Sequence, residues 1–181
     1  MLLWFTAYIL IPAYTILFVQ GNNWFTTNFS VIGNVIGREG EFVLWGLIVG
    51  IYFFWSLQII VSRMPVRPRC AWLIPLSLIL LTCALITPYL PQKMPLKSGL
   101  HIVFSFTSAL CLLVCLGLIV WTLYKNDHEK YRLYPIGLTG IGLFSLLLLF
   151  LAGIISSALE IFFTIASTLL VHRLYRKLEH T

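Results

Sequence analysis

Apolar residues gather along this chain into six long runs separated by short polar breaks. The runs extend from Leu2 to Val19, Phe42 to Val61, Ala71 to Tyr89, Leu100 to Tyr124, Tyr134 to Ala152 and Ile155 to Val171. Each is long enough, as a helix, to cross a hydrocarbon layer of about 30 Å. The last two runs are weakly punctuated, since Glu160 is the only charge between Leu133 and Val171. That length is about two crossings and too long for one, so Gly153 and the Ser156-Ser157 pair are expected to supply a turn. No strand pattern, low-complexity tract or phosphate-cradling glycine loop interrupts the series. The expected fold is all-α: a polytopic integral membrane protein, a single domain over residues 1–181, built as a six-transmembrane-helix bundle with an outer interfacial segment between helices 1 and 2.

That segment, NNWFTTNFSVIGNVIGREGEF over residues 22–42, is the polar exception. Phe25, Phe29, Ile32 and Ile36 recur at i, i+4, i+7 and i+11, one face of a helix, while Asn28 and Asn34 point elsewhere. Two conformations suit the pattern. One is a short helix lying in the interface or tucked back over the bundle; the other is a wet loop with aromatic anchors.

Composition agrees with the pattern. The chain is 60% hydrophobic and 10% charged, with a mean hydropathy of +0.95, outside the range of a soluble globule. The net charge of +6 reads as a topology signal, because Lys and Arg are retained on the cytoplasmic side of a membrane. With the N-terminus inside, Arg63, Arg67, Arg69, Lys125, Lys130, Arg132, Arg173, Arg176 and Lys177 are cytoplasmic, nine of the twelve basic residues, and only Arg38, Lys93 and Lys97 lie outside. Both termini are then cytoplasmic. A nucleic-acid surface is excluded for want of a soluble domain to carry it. The first run lacks a basic leader and a small-residue cleavage site, so it reads as a retained span.

Smaller features refine the bundle. Gly46 and Gly50 form a G-x-x-x-G, and Gly137, Gly140 and Gly142 lighten the fifth span, both suited to close backbone approach. Pro12, Pro75 and Pro88 are expected to kink their helices, while Pro135 suits a helix start. Cys70, Cys83, Cys111 and Cys115 read as packing residues, with neither a nearby cysteine nor a nearby histidine to complete a tetrahedral site beside Cys111 and Cys115. His128, His172 and His180 fall on the cytoplasmic side, leaving one outer histidine. No metal and no cofactor is expected.

Polar residues within the spans carry the functional signal, because an ionisable group at membrane depth is costly and turns inward toward a partner or a cavity. Glu160 heads a stripe with Ser157, Thr164 and Ser167. His101, Ser105 and Ser108 form another, on one face of the fourth span. A hydrogen bond or ion pair between His101 and Glu160 is geometrically reasonable, either as a structural pair that fixes helix register or as part of a functional pocket. Ser30, Asn34, Arg38 and Glu41 suit its rim. The candidate ligand-binding residues are therefore Ser30, Asn34, Glu41, His101, Ser105 and Glu160, with no catalytic residue assigned.

The run S-V-I-G at Ser30 to Gly33 after the first span, a histidine early in the fourth and a glutamate early in the sixth resemble the bacterial six-helix membrane proteins grouped with the eukaryotic DRAM/Sfk family. The resemblance implies location in a bacterial cytoplasmic membrane and, through the eukaryotic relatives, a role in lipid handling. Three functions follow as expectations. The first is binding or regulation of membrane lipids without chemistry. The second is an intramembrane hydrolase or acyltransferase with His101 as base, Glu160 orienting it and Ser105 or Ser30 as nucleophile, although the chain has no G-x-S-x-G elbow. The third is a proton-linked transporter using Glu160. Membrane lipids are the expected partners; a partner membrane protein is a further candidate, and the oligomeric state stays open.

Overall fold

The computed structural model describes residues 1–64 and 68–179; Arg67 and His180, assigned above to the cytoplasmic side, lie outside the described residues. Six helices are long and apolar enough to cross a membrane: α1 (Leu2–Val19), α3 (Glu39–Ser62), α4 (Arg69–Ile86), α5 (Pro95–Asn126), α6 (His128–Ala152) and α7 (Ser157–Glu179). A short helix, α2 (Phe29–Asn34), lies between the first two. The protein is an all-α, six-helix integral membrane bundle.

Helix ends follow local chemistry. Helix α3 begins three residues earlier than its apolar run, because Glu39 and Glu41 in its first turn complement the positive end of the helix dipole. Pro95 occupies the first turn of α5, where its missing N–H costs nothing. Helix α4 stops at Ile86, and Thr87 is extended, as the residue before a proline tends to be. Pro88 therefore lies beyond the helix and kinks nothing. Pro12 follows a single π-helical turn, Thr6–Leu10, a wider winding that accommodates the break a proline makes in the hydrogen-bond ladder. Gly153 ends α6 in the left-handed conformation, φ 69°, which supplies the expected turn before Ser156 and Ser157.

The glycines explain the tightest contacts. A Cβ on Gly46 would sit 2.6 Å from Leu85, and one on Gly50 2.9 Å from Leu81, so the G-x-x-x-G is the face on which α3 meets α4. In α6 only Gly137 is close to a neighbour, 3.3 Å from Leu170, whereas Gly140 and Gly142 face open space; the expected glycine-rich contact reduces to one position. One buried core joins α1, α3, α4, α5 and α7 around Leu57, Ile60, Ile119 and Leu174. A second, built from Phe18, Phe29, Ile32, Phe42, Leu85 and Ile161, closes the end of the bundle that carries α2. Helix α6 is peripheral, with Ile141 its one buried residue in Leu133–Ala152 and with Leu143, Leu146, Phe150 and Leu151 exposed.

Cys70 and Cys115 are both buried, with their sulfurs 3.9 Å apart. Cys115 therefore does have a cysteine neighbour, brought in from α4, which spacing along α5 alone does not reveal.

Candidate functional site

The polar segment between α1 and α3 is ordered against the bundle, and its helix is shorter than the periodicity suggests. Asn23 Oδ1 accepts from the N–H groups of Phe25 and Thr26 at 2.9 and 3.3 Å, which folds residues 23–27 into a turn. Asn28 then caps α2, its Oδ1 accepting from Val31 N at 2.8 Å. At the other end Gly37, with φ 96°, turns the chain toward α3. Phe29 and Ile32 are fully buried, but Phe25 and Ile36 fall outside the helix and are exposed. The four-residue stripe is thus two core residues flanked by two surface ones. Gly33 permits the docking: a Cβ there would lie 2.7 Å from Cβ and Cγ of Phe42.

Helix starts leave orphan N–H groups, and here the turn before α2 satisfies those of α7 while α7 satisfies the first of α2. The first N–H groups of α7, on Ser157 and Ala158, donate to the carbonyls of Thr27 and Trp24 at 2.7 and 2.8 Å. Ser157 Oγ also donates to Thr27 O, at 3.0 Å. In return, Glu160 Oε2 accepts from the N–H of Phe29 at 2.7 Å. The acid that heads the polar stripe of α7 therefore spends its hydrogen bond on the backbone of the connecting segment.

His101 holds the adjacent residue. Its Nδ1 lies 2.9 Å from the carbonyl oxygen of Ala84 and 2.8 Å from that of Thr87. Carbonyls only accept, so Nδ1 carries a proton. Ser30 Oγ lies 2.7 Å from Nε2, within hydrogen-bond reach. The ring is 1% exposed and packs near Phe42 and Tyr89. Among the described residues no hydrogen bond or ion pair joins His101 to Glu160. They grip neighbouring residues of α2 instead, Ser30 through its hydroxyl and Phe29 through its N–H.

Below this clamp a cavity of about 440 Å³ opens between α3, α4, α5, α6 and α7. Ser30 and Glu160 reach its wall near α2, while Val49, Phe53, Ile74 and Leu112 line it deeper. From Phe42 to Phe54 the lining of α3 descends about 18 Å by helical rise. Among its lining residues Phe106, Leu110, Leu149 and Ile155 are themselves exposed, which gives the cavity a lateral opening beside the loosely packed α6. Hydroxyls are spread along it, on Ser30, Ser77, Ser105, Ser108, Ser145 and Thr164; Ser77 and Ser108 satisfy each other across α4 and α5, each donating to the other's carbonyl oxygen at 2.9 and 2.8 Å.

The six sequence-derived candidates divide accordingly. Ser30, Ser105 and Glu160 line the cavity, and His101 lies directly behind Ser30. Ser105, one turn from His101, makes no hydrogen bond to it among the described residues. Asn34 lies outside the cavity wall and uses its amide to donate to Ser30 O at 3.1 Å. Glu41 is exposed and engaged by Arg38, whose Nε donates to Oε1 at 3.0 Å and whose second nitrogen contacts Oε2. Arg38 also donates to the orphan carbonyl of Phe18 at 2.6 Å, tying the end of α1 to the start of α3. The hydrogen bond to Glu41 raises the Arg38 pKa above its ordinary value, so the pair is a fastening on the rim. The groups that sequence reasoning missed are backbone ones, the N–H of Phe29 and the carbonyls of Ala84, Thr87, Thr27 and Trp24, which no residue type announces. Asn28 did carry a signal, an asparagine three residues ahead of the N–H it caps.

No family model, curated protein or solved structure matches the chain.

Proposed function

We propose that the protein binds a membrane lipid, taking an acyl chain into the cavity through the opening beside α6 and holding its polar end near Ser30 and Glu160. The observation that carries this reading is the cavity itself, mostly apolar, with the one carboxyl group in its lining, Glu160, beside Ser30 near α2. A pocket in water has little reason to combine that wall with a side opening among exposed Phe106, Leu110 and Leu149; a pocket facing lipid tails does. The arginine and lysine distribution orients the protein with both termini cytoplasmic and the α2 end toward the other leaflet. The resemblance to bacterial proteins grouped with the DRAM/Sfk family, whose eukaryotic members are associated with lipid handling, points the same way.

Photo-crosslinking tests the reading. A phospholipid with a diazirine on its acyl chain, irradiated with the protein in nanodiscs, is expected to label cavity peptides such as those containing Phe53 and Leu112. Ser105→Phe, placing a large side chain in the cavity wall, is expected to reduce that labelling while leaving labelling of exposed α6 unchanged. Labelling confined to the exposed faces of α5 and α6 in the wild type would overturn it.

A further inference from the structure

Building on the lipid-binding reading, we propose that Ser30 is an acyl-transfer nucleophile and His101 its general base, acting on O-acyl ester lipids held in the cavity. Four features of the site support this. The Ser30 hydroxyl lies 2.7 Å from His101 Nε2, which in the neutral ring carries the lone pair that removes a serine proton during attack. The opposite ring nitrogen is held at 2.9 and 2.8 Å by the carbonyls of Ala84 and Thr87, which fix the tautomer and the ring plane as a carboxylate does in a serine–histidine–aspartate triad. Those carbonyls end α4, so the negative end of a helix dipole lies behind the ring where positive charge develops during proton transfer. Finally, Ser30 stands on the cavity wall while His101 is buried behind it, so an ester reaches the hydroxyl and the base stays dry.

The backbone around Ser30 is fixed on both sides, by Glu160 on the N–H of Phe29 and by Asn28 on the N–H of Val31. Glu160 is a positioning residue in this arrangement. It holds the nucleophile's neighbour and has no bond to His101, unlike the acid expected from sequence. Ser105 has no place in the pair.

The chemistry balances without an outside oxidant or reductant. Ser30 Oγ forms a bond to the ester carbonyl carbon as its proton moves to His101 Nε2. The tetrahedral adduct collapses, the carbon–oxygen bond to the lipid alcohol breaks, and the departing oxygen takes the proton from Nε2. Water, or the hydroxyl of a second amphiphile, then attacks acyl-Ser30. Its proton passes to Nε2 and on to Ser30 Oγ as the serine leaves. With water the products are a fatty acid and a lyso-lipid or free alcohol; with an alcohol, a new ester.

A fluorophosphonate probe, which phosphonylates activated serines, tests the pair in nanodiscs by intact mass and peptide mapping. The expected result is one adduct on Ser30, absent in Ser30→Ala and formed about 100-fold more slowly in His101→Gln, the usual contribution of a general base. Because His101→Gln also disturbs packing, its crosslinking by the diazirine lipid is measured beside it: a variant that keeps wild-type crosslinking of cavity peptides and still labels Ser30 at the wild-type rate would overturn the assignment of His101 as base. The diazirine lipid is applied to the same preparations. Lipid crosslinked in the cavity of folded wild type with Ser30 unlabelled would overturn acyl transfer and leave lipid binding standing. Failure of the lipid to reach cavity peptides would overturn both.

Discussion

Replacing Glu160 by leucine isolates what fastens the segment between α1 and α3. The substitution approximately keeps side-chain volume but removes the acceptor 2.7 Å from the N–H of Phe29, a residue with no exposed surface. A net intramolecular hydrogen bond is worth about 0.5–1.5 kcal/mol, and an N–H left buried and unpaired costs about 1–3 kcal/mol. These overlap as descriptions of one loss, so about 2–3 kcal/mol is the expected weakening. Glu160→Gln keeps an acceptor of the same reach and should cost about 1 kcal/mol. Amide hydrogen exchange in nanodiscs reads the difference directly, since loss of 2–3 kcal/mol speeds exchange through local opening by about 30- to 150-fold at 1.4 kcal/mol per tenfold. Peptides covering residues 22–37 should show that acceleration in Glu160→Leu, and less than tenfold in Glu160→Gln, while peptides of α3 to α5 stay unchanged. Equal acceleration in both variants would refute the reasoning, because the charge and not the acceptor would then be what matters. Unchanged exchange in Glu160→Leu would refute it from the other side.

Gly33→Ala should lower thermal stability by about 1–3 kcal/mol, because its Cβ would fall 2.7 Å from the stiff Cβ and Cγ of Phe42, whereas Gly140→Ala, in open space on a helix, should gain about 0.5–1 kcal/mol in the same unfolding assay. Arg38→Met should lower stability in the same assay, because it removes both the exposed ion pair with Glu41 and the hydrogen bond to the orphan carbonyl of Phe18. A pKa raised in the folded protein means a stabilisation fully present below the unfolded value and lost only as pH rises through the folded one. The difference between wild type and Arg38→Met should thus stay constant from acidic-neutral through mildly alkaline pH, and a loss on moving from neutral to mildly alkaline conditions would contradict it. In a cysteine-free background, Pro95→Cys should react with a membrane-impermeant maleimide on intact cells and Asp127→Cys only after permeabilisation; the reverse pattern would invert the orientation.

What was legible in the sequence was whatever a bilayer dictates. Long apolar runs must be helices because lipid offers no partner for a backbone N–H or C=O, and all six appear, although α5 and α6 start five and six residues earlier than their apolar runs and α7 continues eight residues past Val171 into polar sequence. Inward-facing polar residues were also legible, which is why Glu160, His101 and Ser30 all reach the same region. Their partners were not. A glutamate and a histidine in an apolar setting invite pairing with each other, yet each found a cheaper partner in the main chain: Glu160 an orphan N–H at a helix start, His101 two carbonyls at a helix end. Such groups occur at every helix terminus and leave no mark on residue type. The overextended α2 has the same origin. Periodicity at Phe25 and Ile36 matched a helix, but Asn23, Asn28 and Gly37 impose turns and caps whose local bonds override it.

These capping bonds also link the clamp to the cavity. Glu160 anchors Phe29 and lines the cavity; Ser30 is anchored by His101 and lines it too. A polar headgroup that takes a hydrogen bond from Ser30 competes with His101 Nε2, and one that donates to Glu160 competes with the N–H of Phe29. Ligand and clamp thus draw on the same few donors and acceptors. Binding that uses those groups must loosen α2 unless the new contacts also hold it, while binding by the acyl chain alone leaves α2 where it is. The remaining ties, from Ser157 and Ala158 to Thr27 and Trp24, do not reach the cavity wall through these atoms, and Phe29 and Ile32 are packed in the core, so the segment keeps its place while hydrogen-bond partners exchange at Ser30. The serine already stands on the cavity wall, and an incoming ester meets its hydroxyl without detaching the segment from α7.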